Sequence, residues 1–127
     1  MIHNLRRSYA FLLAGIFFVF LNFASYADGF LSILPEVPLP EKISEIAESE
    51  VSFDAPTGRI VQVAARGMKD KESILSFYKV TMPQLGWTAQ SATEFTRENE
   101  KLSLTLNTEN GETLVHFELA PMNANNN

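Results

Sequence analysis

The sequence predicts an α+β fold: a two-layer domain with a mostly antiparallel β-sheet, element order β-β-α-β-β-β, and one helix packed on one face. In several short segments apolar residues alternate with polar ones, as expected for strands that are buried on one side. One segment after Gly67 instead has apolar residues at helical spacing. Asn110-Gly111 lies between two of the alternating segments, and this dipeptide is a strong signal for an antiparallel hairpin.

The first two strands form a predicted hairpin. Val51 and Phe53 alternate with polar residues, and the segment 55–58, Ala-Pro-Thr-Gly, has the chemistry of a turn. The second strand, 59–66, reads RIVQVAAR. Its alternation directs three side chains to one face, Val61, Val63 and Ala65.

The helix is predicted to begin after Asp70, a residue type that favours the N-cap position. Its apolar face is formed by residues at helical spacing, Ile74, Phe77, Tyr78 and Thr81. Because Pro83 disfavours the helical conformation of the residue before it, the helix either stops at Met82 or kinks into one more turn through Leu85. Gly86 suits the left-handed position just past a helix end.

Residues 77–87 read FYKVTMPQLGW and contain the one tryptophan of the chain, so they either bind a ligand or join two elements. We interpret this segment as a joint, because Phe77 and Tyr78 face the sheet and Trp87 begins a strand beside the same core. A ligand platform would need exposed aromatic side chains with polar groups converging on them. We therefore expect Trp87 to be buried, with its indole N–H hydrogen-bonded or at the rim of the core.

The strands that follow the helix are short. They are predicted near 87–91, at 94–97, at 101–107 and at 113–120. The last strand directs its alternate residues to the core, namely Val115, Phe117 and Leu119. Pro121 ends this strand, and the polar residues 122–127 form a predicted disordered tail.

Residues 1–27 have the three-part pattern of a secretory signal peptide, in which a basic head precedes an apolar run and small residues follow. Ser25 and Ala27 are the small residues before the predicted cleavage site, which lies between Ala27 and Asp28 and implies a periplasmic or secreted protein. An uncleaved signal anchor is the alternative, because the apolar run approaches the roughly 20 residues that span a bilayer. The sequence has no cysteine, which excludes lipoprotein processing, disulfides and thiol catalysis.

The predicted mature chain is acidic. The full sequence has 10 Lys and Arg against 15 Asp and Glu, and removal of Arg6 and Arg7 leaves a net charge of −7. Such a charge repels nucleic acid, so we expect no nucleic-acid partner.

Residues 28–50 form a predicted extended arm, because Pro35, Pro38 and Pro40 favour extended backbone before them. We also expect a helical turn around Ile43 to Ala47. The arm has more apolar residues than an unattached linker, so these residues should lie on the domain or on a partner. The domain itself is predicted at 51–121, and we expect a chain that lacks Asp28 to Lys42 to fold cooperatively.

His116 and Glu118 are a pair with catalytic potential, because residues two apart on a strand share a face. Nothing near them in the sequence marks a nucleophile, so a solvated sheet face is the preferred interpretation. Arg59 and Arg66, at the two ends of the second strand, could each hold an anionic group. A role in keeping the strand soluble is preferred for both.

Two acidic clusters lack the alternating Asp and Asn residues of calcium loops, and we interpret them as solvated faces. They consist of Glu45, Glu48 and Glu50, and of Glu94, Glu98 and Glu100. We therefore expect no catalytic residue, no cofactor-binding residue and no metal site.

Three motifs, GRIVQVAARG, FYKVTMPQLGW and LVHFELAP, resemble a group of small exported proteins of Gram-negative bacteria. In this group a Phe-Tyr helix runs through Leu-Pro-Gln-Leu-Gly-Trp into a meander of strands. Met82 stands where the group has leucine, a change that keeps an apolar contact. The resemblance covers about residues 51–121, and it implies neither a biochemical activity nor a catalytic residue.

We therefore expect an exported, non-enzymatic accessory or binding domain that acts in the periplasm, with the arm or a sheet face as its contact surface. Its expected partner is another exported or envelope protein. One alternative is a membrane-tethered domain that keeps its signal anchor. The other is a small hydrolase or isomerase that uses His116 and Glu118.

Overall fold

The structure is a computed structural model that describes residues 29–123. This part of the chain has one helix, α1 (Lys71–Gln84), between two groups of strands. The strands are β1 (Gly29–Phe30), β2 (Pro38–Leu39), β3 (Ile43–Glu45), β4 (Val51–Ala55), β5 (Gly58–Gly67), β6 (Thr88–Ala89), β7 (Glu94–Arg97), β8 (Glu100–Glu109) and β9 (Glu112–Pro121).

Seven of the strands form one sheet with the order β3-β5-β9-β8-β7-β6, in which β4 also pairs with β5. Every pairing in this sheet is antiparallel, so the predicted α+β fold with one helix on a sheet is confirmed. Four strands follow the helix and match the four segments predicted there, although the predicted order β-β-α-β-β-β counts three. The arm adds further strands: β3 lies on the same edge of β5 as β4, and β1 and β2 form a separate pair.

Tight hairpins connect the long strands and fix their register. Asn110 and Gly111 both have positive φ, 50° and 80°, as the two central residues of a type I′ turn require. Glu98 and Asn99 adopt the same region, with φ of 49° and 71°. The pairing of β5 with β9 and of β9 with β8 places the core residues of these three strands on one face of the sheet.

That face is covered by α1 and by the arm, which together form the second layer. The helix contributes Ile74, Tyr78 and Met82 to the core. The sheet and the segment before β6 contribute Val61, Val63, Ala65, Trp87, Phe95, Leu102, Leu104, Val115, Phe117 and Leu119. The opposite face carries no described helix, and we call it the open face.

Both ends of α1 have the caps that the sequence predicts. The Asp70 carboxylate accepts hydrogen bonds from the backbone N–H and the hydroxyl of Ser73, at 3.1 and 2.6 Å, and these bonds lower its pKa. At the other end Gly86 has φ of 90° and donates to Pro83, while the N–H of Trp87 donates to the carbonyl of Met82. These two bonds form a Schellman motif, which ends the helix. The helix therefore includes Pro83, and its last residue is Gln84.

The apolar residues of the arm lie on the domain itself. Five of them are buried in the same core as the sheet and helix: Leu31, Leu34, Val37, Leu39 and Ile43. The hydroxyl of Tyr78 donates to the carbonyl of Pro38 at 2.8 Å, which ties the arm to α1. The arm is thus part of the packing unit, and deletion of Asp28 to Lys42 would remove four of these five buried side chains.

The expected helical turn around Ile43 to Ala47 is wrong, because Ile43–Glu45 is a strand that pairs with β5. Gly67 permits this pairing: a Cβ atom at this position would lie 1.7 Å from the carbonyl oxygen of Lys42. Lys42 and Glu48 have positive φ, 70° and 63°, and both positions break a helical continuation.

The predicted signal peptide and most of the predicted tail lie outside the described residues. Within residues 29–123, no helix has the length and apolar character needed to cross a bilayer.

Candidate binding surface

His116 and Glu118 lie on the open face, as the alternation of β9 predicts. His116 is exposed and stands between Ala64 on β5 and Thr105 on β8. Glu118 accepts a hydrogen bond from the side-chain amide of Gln62 at 2.9 Å. The carboxylate is therefore oriented toward β5 and not toward the imidazole, an arrangement that does not assemble a carboxylate-oriented base.

Arg59 does hold anionic groups, but they are carboxylates of this chain. Its guanidinium donates to both oxygens of Glu100, at 2.9 and 3.1 Å, and to Glu36 at 2.7 Å. The bonds to Glu100, followed by that to Glu36, raise the pKa of Arg59. Because Glu36 belongs to the arm and Glu100 to β8, Arg59 links the arm to the sheet. Its guanidinium binds these two carboxylates of the chain and not an external anion.

Arg66 lies on the open face and is mostly exposed, with its Nε 4.0 Å from a Glu112 oxygen. This long contact between exposed groups contributes little to stability. Arg66 therefore fits the preferred interpretation of a charge that keeps the strand soluble.

The two acidic clusters do not form a cation site in the described part of the chain. Glu45 accepts two hydrogen bonds from Ser32, at 2.9 and 2.6 Å, and Glu100 is paired with Arg59. Glu94 lies 4.0 Å from Lys101. Within residues 29–123 no group of three or more His, Asp or Glu residues could hold a metal ion.

Trp87 is 3% exposed, which confirms that FYKVTMPQLGW is a joint between helix and sheet. The guanidinium of Arg97 lies 4.6 Å from the centre of the indole ring and donates to the Leu85 carbonyl at 3.3 Å. The expectation for the indole N–H is wrong, because this buried group has no hydrogen-bond partner among the described residues. The ring is nevertheless closed off from solvent and offers no platform for a ligand.

A surface depression at the N-terminus of α1 is lined by Lys42, Lys69 and Lys71. Asp70 and Glu72 line the same depression and offset this positive charge. The Asp70 carboxylate already caps the helix, so the backbone N–H groups that would bind an anion are partly used. The depression therefore lacks the arrangement of free positive groups that would bind an anion.

Strand β4 has two large apolar side chains on the surface. Val51 and Phe53 are each 52% exposed. They stand opposite Gln62 and Ile60 of β5, which places both apolar side chains on the open face. Only Ala55 of this strand is even half-buried. We call Val51, Phe53 and Ile60 the edge patch.

The outer edge of β4 is also unpaired in the described part of the chain, because β5 is its one partner there. Backbone N–H and C=O groups along such an edge can hydrogen-bond to an added strand. An unpaired edge and an apolar patch on one strand are the two features that β-strand addition needs: the edge supplies hydrogen bonds and the side chains supply packing.

The sequence predicted the alternation of Val51 and Phe53 but not their exposure. Apolar alternation normally indicates burial, and Val61 and Val63 on the neighbouring strand obey this rule. The apolar residues of β4 lie on the other face of the sheet, because Ser52 and not Val51 stands opposite the buried Val61. The sequence does not show the register of β4 against β5, and the exposure of Val51 and Phe53 depends on that register.

Comparison of the chain with protein-family models, with curated proteins and with solved structures finds no match.

Proposed function

We propose that this chain is an exported, non-enzymatic binding domain that acts in the periplasm and uses strand β4 as its contact surface. The observation that carries this proposal is the combination on β4 of an unpaired outer edge with the exposed side chains of Val51 and Phe53. Large apolar side chains that are exposed beside a strand edge favour association with another chain.

The arm was the other candidate contact surface. Its large side chains are used inside the domain, because Leu34 and Val37 are fully buried and Glu36 is paired with Arg59. Phe30, at its first strand, is the exception and is exposed. The sheet is therefore favoured over the arm as the surface that meets a partner.

Export is tested by the mass of the protein from a periplasmic fraction. We expect an N-terminus at Asp28, because Ser25 and Ala27 are the small residues that the signal peptidase requires. A full-length chain found only in the membrane fraction would support the tethered alternative and contradict periplasmic release.

Contact through β4 is tested with a photo-crosslinking amino acid placed at position 53 in living cells. We expect discrete crosslinked adducts, since a partner strand would lie within a few ångströms of that side chain, about 5 Å from backbone to backbone. Position 80 is the matched control, because Val80 is also apolar and is 63% exposed, but lies on the helix. Equal adducts at both positions, or none at position 53, would exclude β4 as a specific contact surface.

A further inference from the structure

We propose that the partner of β4 is a second copy of this chain, which adds its own β4 in antiparallel orientation about a twofold axis at Phe53. This inference rests on the proposed function, namely that the β4 edge is a contact surface. The two sheets would then form one continuous sheet across the molecular twofold axis.

The charge pattern of the strand is compatible with self-pairing in this register. When Phe53 faces Phe53 of the second copy, Asp54 faces Ser52 of the second copy and Val51 faces Ala55. No acidic residue then opposes another one. The hydroxyl of Ser52 can donate to the Asp54 carboxylate, so the pairing is complementary at each position.

Neighbouring registers lack this complementarity. A twofold axis at Ser52 would place Glu50 directly opposite Asp54 of the second copy, twice in each dimer. Like charges in opposed positions destabilise an antiparallel pair. A shift by one residue would place Val51 opposite Asp54, residues whose side chains lie on different faces of the strand. The register centred on Phe53 is therefore favoured over both.

This pairing also joins the two edge patches. In an antiparallel pair, directly opposed side chains lie on the same side of the sheet. The Phe53 rings of the two copies would therefore meet on the common open face, with Val51 of each copy beside them. Contact between the rings removes from water two side chains that are each half exposed in the single chain.

The dimer should be weak and should depend on salt. Pro56 has no N–H, so the backbone hydrogen bonds between the two copies end at Ala55 and are limited to β4. Such an interface is smaller than the ~1,200 Å² or more of stable complexes. Each predicted mature chain also carries a net charge of −7, which opposes association unless salt screens it.

Two substitutions at position 52 test the register by sedimentation equilibrium of the purified protein. In the Phe53-centred dimer, Ser52→Lys places an ammonium group opposite Asp54 of the second copy, and we expect dimerisation to tighten about 3- to 10-fold. Ser52→Asp places two carboxylates opposite each other, and we expect a loss of similar size. Raised salt should reduce both effects.

The matched controls are Thr105→Lys and Thr105→Asp, which change the net charge equally at an exposed position on β8, away from the edge. They should move the dimerisation constant by less than about twofold, because long-range repulsion is screened. If both substitutions at position 52 weaken the dimer, or if the Thr105 variants have the same effects as their Ser52 counterparts, the proposed pairing is wrong.

A single introduced cysteine gives an independent test, because the chain has none of its own. Phe53→Cys should form an interchain disulfide on mild oxidation, since residues opposed at the axis lie about 4.5–5.5 Å apart between Cα atoms, within disulfide range. Val80→Cys, on the exposed face of α1, should oxidise much more slowly. Equal rates for the two variants would overturn the proposal.

The photo-crosslinked adduct at position 53 separates this inference from the proposed function. An adduct of twice the mass of the chain supports the dimer. An adduct with a different exported protein, combined with a wild-type chain that stays monomeric at about 1 mM, a concentration at which even weak contacts associate, overturns the dimer but supports β4 as a binding surface. The absence of any adduct rejects both.

Discussion

At the scale of single residues, Tyr78 of α1 connects the helix to both the sheet and the arm. It is fully buried, and its ring meets those of Phe77 and Phe117 edge to face, with centres 5.1 and 6.0 Å away. Its hydroxyl donates to the carbonyl of Pro38. One side chain thus joins the helix, the sheet and the arm, and burial raises the pKa of its phenol.

Tyr78→Phe should therefore lower the free energy of unfolding by about 1–2 kcal/mol, because the ring contacts remain while the carbonyl of Pro38 loses its donor. Urea denaturation followed by Trp87 fluorescence measures this change. Ser76→Ala is the control, since it removes an exposed hydroxyl from the same helix and should leave stability unchanged or slightly raised.

The pH dependence of the same variant separates the hydroxyl from general packing. Because the pKa of Tyr78 is raised in the folded state, its contribution is complete below the ordinary tyrosine pKa of about 10 and declines as the pH rises above it. Wild-type protein should consequently lose more stability than Tyr78→Phe between pH ~8 and ~11. Identical losses in the two proteins would show that the phenol is not buried as described.

At the scale of elements, the end of α1 depends on the backbone conformation of Gly86. A Cβ atom added there would meet only the Cδ atom of Arg97 at 3.7 Å, an ordinary contact. The cost of a side chain must therefore come from φ of 90° and not from crowding.

Gly86→Ala should destabilise the protein by about 1 kcal/mol, and Gly86→Asn by less, because asparagine tolerates the left-handed region better than alanine. Thermal denaturation of the two variants measures the difference. If asparagine, the larger residue, costs more than alanine, then space near Arg97 and not the backbone limits this position.

The elements that the sequence predicted well are those with one consistent local signal. Alternation fixed the core faces of β5 and β9, and Asp70 and Gly86 marked the ends of the helix. Strand β3 was missed because its conformation depends on a distant contact, the close approach of Lys42 to Gly67. The glycine was visible in the sequence, but its partner 25 positions earlier was not.

The candidate surface was harder to predict than the fold. The alternation of Val51 and Phe53 predicts a strand, but the sequence does not show which face of the sheet these side chains share with residues of β5. Parity decides whether an apolar residue faces the helix or the open face. The exposure of the edge patch is consequently a property of the register, which only the structure gives.

At the scale of the whole molecule, the arm and α1 act as one layer over the sheet. The arm supplies buried side chains, the Glu36 partner of Arg59 and the Pro38 acceptor of Tyr78. Each buried aliphatic side chain contributes about 1.5–3 kcal/mol, so loss of several would approach the ~5–15 kcal/mol total stability of a typical domain. This is the physical reason to expect that residues 51–121 do not fold alone.

A matched pair of valine substitutions tests this role of the arm without deleting it. Val37 is fully buried, whereas Val80 is 63% exposed on the outer face of α1. Val37→Ala should lower the free energy of unfolding by about 1.5–3 kcal/mol, because it removes two buried methyl groups and leaves a cavity. Val80→Ala makes the same chemical change and should shift it by less than about 0.5 kcal/mol, since alanine also favours the helix. Urea denaturation gives both values. Equal and small effects would mean that the arm lies loosely on the domain, and residues 51–121 would then be expected to fold without it.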